Sequence, residues 1–242
     1  MTDLSVVVFS AAEHLQDLHG CIFAVQRARA VAQAAGYAVQ SIIAINPAEA
    51  AVVEWCSEWL DASWEIVALG DPHAGIADTT VWSRCWGQYL AWTDGRDLWS
   101  ANWLQDALAR VALHGGAWHP EMLLTYSGDH FSNEGRGFRL LAEQDGSLES
   151  LLVADTLPTG FVCARNLLSK WPLPVADAMR GLGEVNRWWH CQVAAAGVLL
   201  SVVPATFHYR RLTWRELSTP AIHPRMSARY GPMTLLPATG IA

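Results

Sequence analysis

Two carboxylates, Asp94 and Asp97, stand in the turn Thr93-Asp94-Gly95-Arg96-Asp97 with a guanidinium between them. Paired carboxylates at a strand end can hold a divalent cation, and the cation in turn neutralises phosphate charge. Arg96 works against that use, because its fixed positive charge repels a metal ion. Its planar fork can instead pair directly with a diphosphate. The plainer reading of the same residues is a solvated turn, since Asp and Gly are ordinary turn formers. Much later in the chain, Glu184 opens an apolar-faced helix. A carboxylate there suits the positive end of the helix dipole.

The elements that must position these groups follow from periodicity. Tyr89 to Trp92 is a short apolar strand running straight into the acidic turn, and Leu4 to Phe9 and Val39 to Ile45 read as strands buried on both faces. Between them Leu15, Leu18, Ile22, Val25 and Ala32 recur at helical spacing and Gly36 closes the pattern. Asn46-Pro47 stops the second strand, a helix over Ala48 to Leu60 follows, and Trp64 to Leu69 is a third strand. Ile76 to Trp86 reads as helical, and Ser100 is the expected N-cap of a helix through Leu113. Strand, helix and strand in alternation predict an α/β fold with a mostly parallel, Rossmann-type sheet flanked by helices, which binds ligands at the carboxyl ends of its strands.

The second half is expected to add a smaller antiparallel portion. Met122 to Tyr126 and Gly160 to Ala164 read as strands, and Phe138 to Ala142 and Leu148 to Val153 flank the hairpin signal Asp145-Gly146. A helix over Glu184 to Ala196 ends at Gly197, and two short strands, Leu199 to Val203 and Thr206 to Tyr209, flank Pro204. The expected organisation is one domain over residues 1–217, in halves 1–115 and 116–217, with 218–242 a C-terminal tail or covering loop.

Composition narrows the function classes. Of 242 residues 52% are apolar and 16% charged, against roughly 25% charged in an average soluble chain, so extended disorder is excluded. A net charge of −7 and no basic run longer than Arg210-Arg211 argue against nucleic-acid binding. Five cysteines without metal or redox spacing read as reduced, buried thiols of a cytoplasmic protein. The start, Met1-Thr2-Asp3, lacks a basic region, so no signal peptide is expected. The longest apolar run, Ala194 to Phe207, is broken by Gly197, Ser201 and Pro204 and falls short of the roughly 20 residues of a transmembrane helix. Thirteen tryptophans suit core filling or stacking on sugars.

The run Gly75-Ile76-Ala77-Asp78-Thr79 through Cys85-Trp86-Gly87-Gln88-Tyr89-Leu90-Ala91-Trp92-Thr93-Asp94-Gly95-Arg96-Asp97-Leu98-Trp99 resembles family 2 glycosyltransferases of the GT-A fold. The later segments Gly183-Glu184 with Trp188, Ala196-Gly197, Val203-Pro204 and Phe207-His208-Tyr209-Arg210 resemble that family's Gly-Glu-Asp helix and closing strands. The likeness extends over roughly residues 4 to 211 and rests on order and spacing. It implies a GT-A-like sheet whose half 1–115 binds a nucleotide sugar and whose half 116–217 carries the acceptor side and the catalytic residues. The implied reaction moves a sugar from a nucleotide diphosphate sugar to a glycan, a lipid-linked acceptor or a small molecule, usually with inversion.

Carried onto this chain, the resemblance assigns Glu184 and Arg96 to catalysis. Ser10, Ala11, Glu13, Asn46, Asp78, Asp94, Gly95 and Arg210 go to the nucleotide sugar, and Trp99, Trp188 and Trp189 to an acceptor-stacking wall. Asp94, Asp97 and His208 would be ligands of a Mn or Mg ion. Arg96 stands where the motif has a second Asp, and Val185 where an aspartate often follows the Glu. Dependence on a divalent cation is therefore expected to be weaker than in relatives. Asn46 replaces a base-reading aspartate; as donor and acceptor it would read a base edge with a different preference. The runner-up from another class is a catalytically silent GT-A-fold module for binding or assembly. A nucleotidyltransferase would want a Gly-rich basic loop where Ser10-Ala11-Ala12-Glu13 stands. A homo-oligomer is the expected partner state besides the small-molecule ligands.

Overall fold

Val6, Val7 and Val8 all have no solvent exposure, which for three consecutive residues requires a strand covered on both faces. That strand, β1 (Leu4–Ser10), sits near the middle of a sheet in a computed structural model that describes residues 3–10, 15–71, 74–127, 139–141, 157, 160–174 and 185–212. The chain continues through α1 (Leu15–Ala34), β2 (Val39–Ile45), α2 (Ala50–Trp59), β3 (Trp64–Ala68), α3 (Thr79–Arg84), β4 (Tyr89–Asp94), β5 (Leu98–Trp99), α4 (Trp103–His114) and β6 (Ala117–Ser127). Then come β7 (Arg139–Leu141), β8 (Val162–Ala164), α5 (Arg165–Lys170), α6 (Val185–Ala195) and β9 (Leu200–Leu212).

The nine strands form one sheet in the order β3-β2-β1-β4-β8-β6-β9-β5, with β7 also paired to β6. β3, β2, β1 and β4 are parallel. β8 runs against both β4 and β6, β9 lies parallel to β6, and β5 and β7 oppose their partners. The sheet is thus mostly parallel with antiparallel additions, as expected. Helices cover both sides. Leu18, Ile22 and Val25 of α1, Val52 of α2, and Leu104, Leu108 and Val111 of α4 pack on one face. Val81 of α3, Leu168 of α5, and Trp189 and Val193 of α6 pack on the other.

From β1 the chain moves outward through β2 and β3, then returns to the opposite flank of β1 for β4. Crossovers that diverge in this way leave a crevice at the carboxyl ends of β1 and β4, the place where open α/β sheets receive ligands. At the other end of β4 the chain enters through Gly87. A Cβ there would lie 2.3 Å from the Ser5 amide nitrogen and 2.5 Å from the Leu4 carbonyl carbon, so only glycine fits.

Several expectations are corrected. Leu199 to Val203 and Thr206 to Tyr209 are one strand, β9, because Pro204, Ala205 and Thr206 bulge opposite Glu121 without ending the ladder. Thr206 Oγ1 donates to the Val203 carbonyl (2.6 Å) and the Ala205 amide donates to Glu121 Oε2 (2.6 Å), so the bulge meets its own hydrogen-bond needs. Ser100 is not the cap of α4, which starts after Asn102; the Ser100 hydroxyl accepts instead from the Phe207 amide at 3.0 Å. Ile76 to Trp86 is not one helix, since a 3-10 turn over Gly75–Ala77 precedes α3, which ends at Arg84 with Cys85 extended. Leu98–Trp99 pairs as β5, which its two residues gave no periodicity to reveal. Leu148 to Val153, the Asp145-Gly146 turn and 218–242 lie outside the described residues. Among the described residues no helix is long and apolar enough to cross a membrane.

Candidate functional site

Parallel pairing sets the site. Phe9 stands opposite Asp94 and Ser10 opposite Ile45, so the ends of β1, β2 and β4 form one edge that carries Ser10, Asn46 and Asp94. The Gly95 amide donates to the Phe9 carbonyl at 2.8 Å, folding the acidic turn back over β1. A Cβ on Gly95 would come within 3.2 Å of both the Phe9 oxygen and a Leu18 methyl, which accounts for the glycine. The Ser10 hydroxyl is buried at this edge with no hydrogen-bond partner among the described residues.

Arg96 folds onto Asp94. Asp94 Oδ1 accepts from the Arg96 amide (3.1 Å) and from Nε (3.0 Å), and Oδ2 accepts from Nη2 (3.1 Å). The guanidinium side chain is 14% exposed and the carboxylate side chain 40%, so the pair is half-sunk with one side toward solvent. Asp97 turns the other way. Its Oδ2 meets His208 Nε2 at 2.8 Å with both side chains buried, tying the turn to β9 across from β5. Cys21 on α1 donates its thiol to the Asp94 carbonyl at 3.4 Å. Burial, with the Asp97 and Asp94 charges adding to it, pushes that thiol well above its ordinary range. Nothing in the sequence singled out Cys21 as a brace for the turn. Arg210 lies two residues beyond His208 on β9, hence on the same strand face and toward the same edge.

Other expected contacts are drawn into local structure. Asp78 caps α3, accepting from the amides of Thr80 (2.7 Å) and Asp71 (2.9 Å). Burial would raise its pKa, but the amides of Asp71, Thr80 and Gly70 outweigh that and hold the carboxyl below its usual range. Asn46 closes an Asx turn, its Oδ1 accepting from the Ala48 amide at 3.1 Å while Nδ2 reaches Glu49 at 3.3 Å.

The acceptor wall of Trp99, Trp188 and Trp189 is corrected. Trp99 is buried in the core under α1 and α4, whereas Trp189 is buried in the opposite core, stacked on Phe161 with centroids 4.5 Å apart. The sheet separates the two rings, so they cannot form one surface. Trp188 is half-buried beside Trp189 on α6. Ala11, Glu13 and Glu184 lie outside the described residues.

The expected divalent cation is poorly matched by its ligands. Asp94 has both oxygens on Arg96, and Asp97 and His208 are paired with each other below the surface. Among the described residues no group of three or more His, Cys, Asp or Glu side chains is arranged to hold a metal ion. Hard cations need several open oxygen ligands, and here the Asp94 oxygens are held by Arg96 and Asp97 Oδ2 by His208.

No family model matches the chain, and no curated protein matches it in sequence. Solved structures are similar in fold. The crystal structure of S. aureus TarS 1-349 matches with a TM-score of 0.55 at 13% identity, over 87% of this chain and 60% of that one. TarS 1-349 in complex with UDP matches at 0.54 and 13%, over 89% and 62%. Its complex with UDP-GlcNAc matches at 0.57 and 12%, over 90% and 62%. The chain therefore spans about 60% of the length of TarS 1-349. The fold is a glycosyltransferase-like α/β fold with a mostly parallel sheet flanked by helices.

Proposed function

We propose that the chain is a glycosyltransferase that takes its sugar from a nucleotide diphosphate sugar and passes it, with inversion, to an acceptor hydroxyl. One observation carries this reading: Ser10, Asp94, Gly95 and Arg96 adjoin one another at the carboxyl edge, where the connections leaving β1 and β4 diverge. The binding of UDP and UDP-GlcNAc by TarS, which shares the fold, supports the donor class. In the reaction the acceptor oxygen bonds to the anomeric carbon as the bond from that carbon to the diphosphate oxygen breaks. The electron pair leaves on the nucleoside diphosphate, and the acceptor proton goes to a base. Glu184, immediately before α6, is the proposed base on the strength of its family position. Asp94, Ser10, Asn46 and Arg210 are the proposed donor contacts, and Trp188 is the remaining acceptor contact.

The test is a thermal-shift screen of nucleoside diphosphates and their sugars, since a ligand that binds only the native state raises the melting temperature. A hit with one base is expected, and Glu184→Gln should then cut turnover by about two to four orders of magnitude with donor affinity kept. Unchanged turnover removes Glu184 from the mechanism. A second reading, a silent module that retains the fold, is favoured by one observation: Asn46, Asp78 and Asp94 all engage their side chains within the protein. It expects no turnover of any nucleotide sugar that binds.

A further inference from the structure

Arg96 is a singly charged, permanently protonated group bound in bidentate fashion to the carboxylate at the mouth of the crevice between β1 and β4. The two charges cancel. A carboxylate turn of two uncompensated aspartates would repel a diphosphate and would require a metal ion between them. Here Asp94 meets an incoming anion already neutralised, and Asp97 is buried against His208, 4% exposed. Both members of the pair keep some solvent access, 14% for the Arg96 side chain and 40% for the Asp94 side chain, and they stand at the carboxyl edge where open α/β sheets receive ligands.

We propose that Arg96 supplies the positive charge for the nucleotide's diphosphate, so that this chain binds its donor without a divalent cation. This deepens the glycosyltransferase reading and rests on it. The guanidinium fork that fits the two oxygens of Asp94 fits two oxygens of a phosphate equally well, and a diphosphate carries more charge than one carboxylate. On binding, the diphosphate therefore competes for, or shares, the guanidinium. Arg96 pairs with the charge that grows on the diphosphate as the sugar leaves, and Asp94 keeps the side chain aimed across the turn. Cys21 and His208 hold that turn from beneath through the Asp94 carbonyl and Asp97, so the pair sits on a braced loop. A lysine could not replace this arrangement fully, because its point charge lacks the fork.

The test uses the full chain and its Arg96→Asp, Arg96→Lys and Arg96→Gln variants. Binding of UDP, GDP, ADP, CDP and dTDP is measured by calorimetry, each in EDTA and in manganese. Melting temperatures without ligand check that each variant is folded. The wild type is expected to bind one diphosphate with affinities in EDTA and manganese that agree within a factor of about three. Arg96→Gln should lose about ten- to hundredfold in both conditions, as expected for loss of a charge-assisted pair. Arg96→Asp should lose at least as much in EDTA and regain binding only with manganese, because it restores a second open carboxylate. Arg96→Lys should fall between wild type and Arg96→Gln. Wild-type binding that appears only with manganese overturns this inference and leaves the donor reading standing. Failure of every diphosphate to bind wild type and variants, with or without manganese, overturns both.

Discussion

Asp97 Oδ2 accepts from His208 Nε2 in the tautomer that carries its proton there, and each is the other's partner across 111 residues of chain. Its second oxygen, Oδ1, is buried with no hydrogen-bond partner among the described residues. Removing the carboxyl strands a buried ring nitrogen, so Asp97→Ala should cost about 1–3 kcal/mol in urea denaturation, and Asp97→Asn less, since an amide still bonds the ring. Asp78 makes a pH-dependent contribution. Its folded pKa lies below the unfolded value of about 3.9, so its stabilisation is complete above that value and is lost as pH falls through the lower, folded one. Asp78→Ala should therefore cost about 0.5–2 kcal/mol at neutral pH and make the acid limb of the stability curve shallower. At this scale the turn Asp94 to Asp97 was legible because it is local. The Asp97–His208 pair was not, because it exists only once β5 pairs with β9, a two-residue strand with no pattern of its own. His208 was therefore expected as a metal ligand when its partner is a carboxylate two strands' worth of topology away.

Elements show where sequence pattern suffices. The β-branched runs of β1 and β2 and the helical spacing of α1 announce themselves, because burial on two faces or on one stripe leaves a period in the chain. The fates of Trp99 and Trp189 were not readable, since both are apolar at buried positions and only the sheet decides which layer each enters. Trp189 fills its layer and donates its indole N–H to the Trp171 carbonyl at 2.6 Å. Trp189→Ala should cost about 3–5 kcal/mol and broaden the thermal transition. In β9, Ala205 is held at φ 58°, a region that penalises any Cβ. Ala205→Gly should raise stability by about 0.5–1 kcal/mol, and a loss on the same measurement would mean that the bulge is not strained.

The described residues form a sheet between two apolar layers, with the carboxyl edge proposed for the ligand at one end. All five cysteines are buried and outside any disulfide, and burial pushes the Cys56 and Cys85 thiols up to about 11 and about 12. They should resist alkylation at neutral pH until the chain is denatured. The nucleotide diphosphate is proposed to lodge at the carboxyl edge beside the Asp94–Arg96 pair. Amide hydrogen exchange with and without the best-binding nucleoside diphosphate tests it most directly. Added protection is expected at residues 9–10, 45–46 and 94–97, with little change at 85–88 on the opposite edge. Protection confined to 85–88, or none anywhere with a nucleotide that binds, would contradict it.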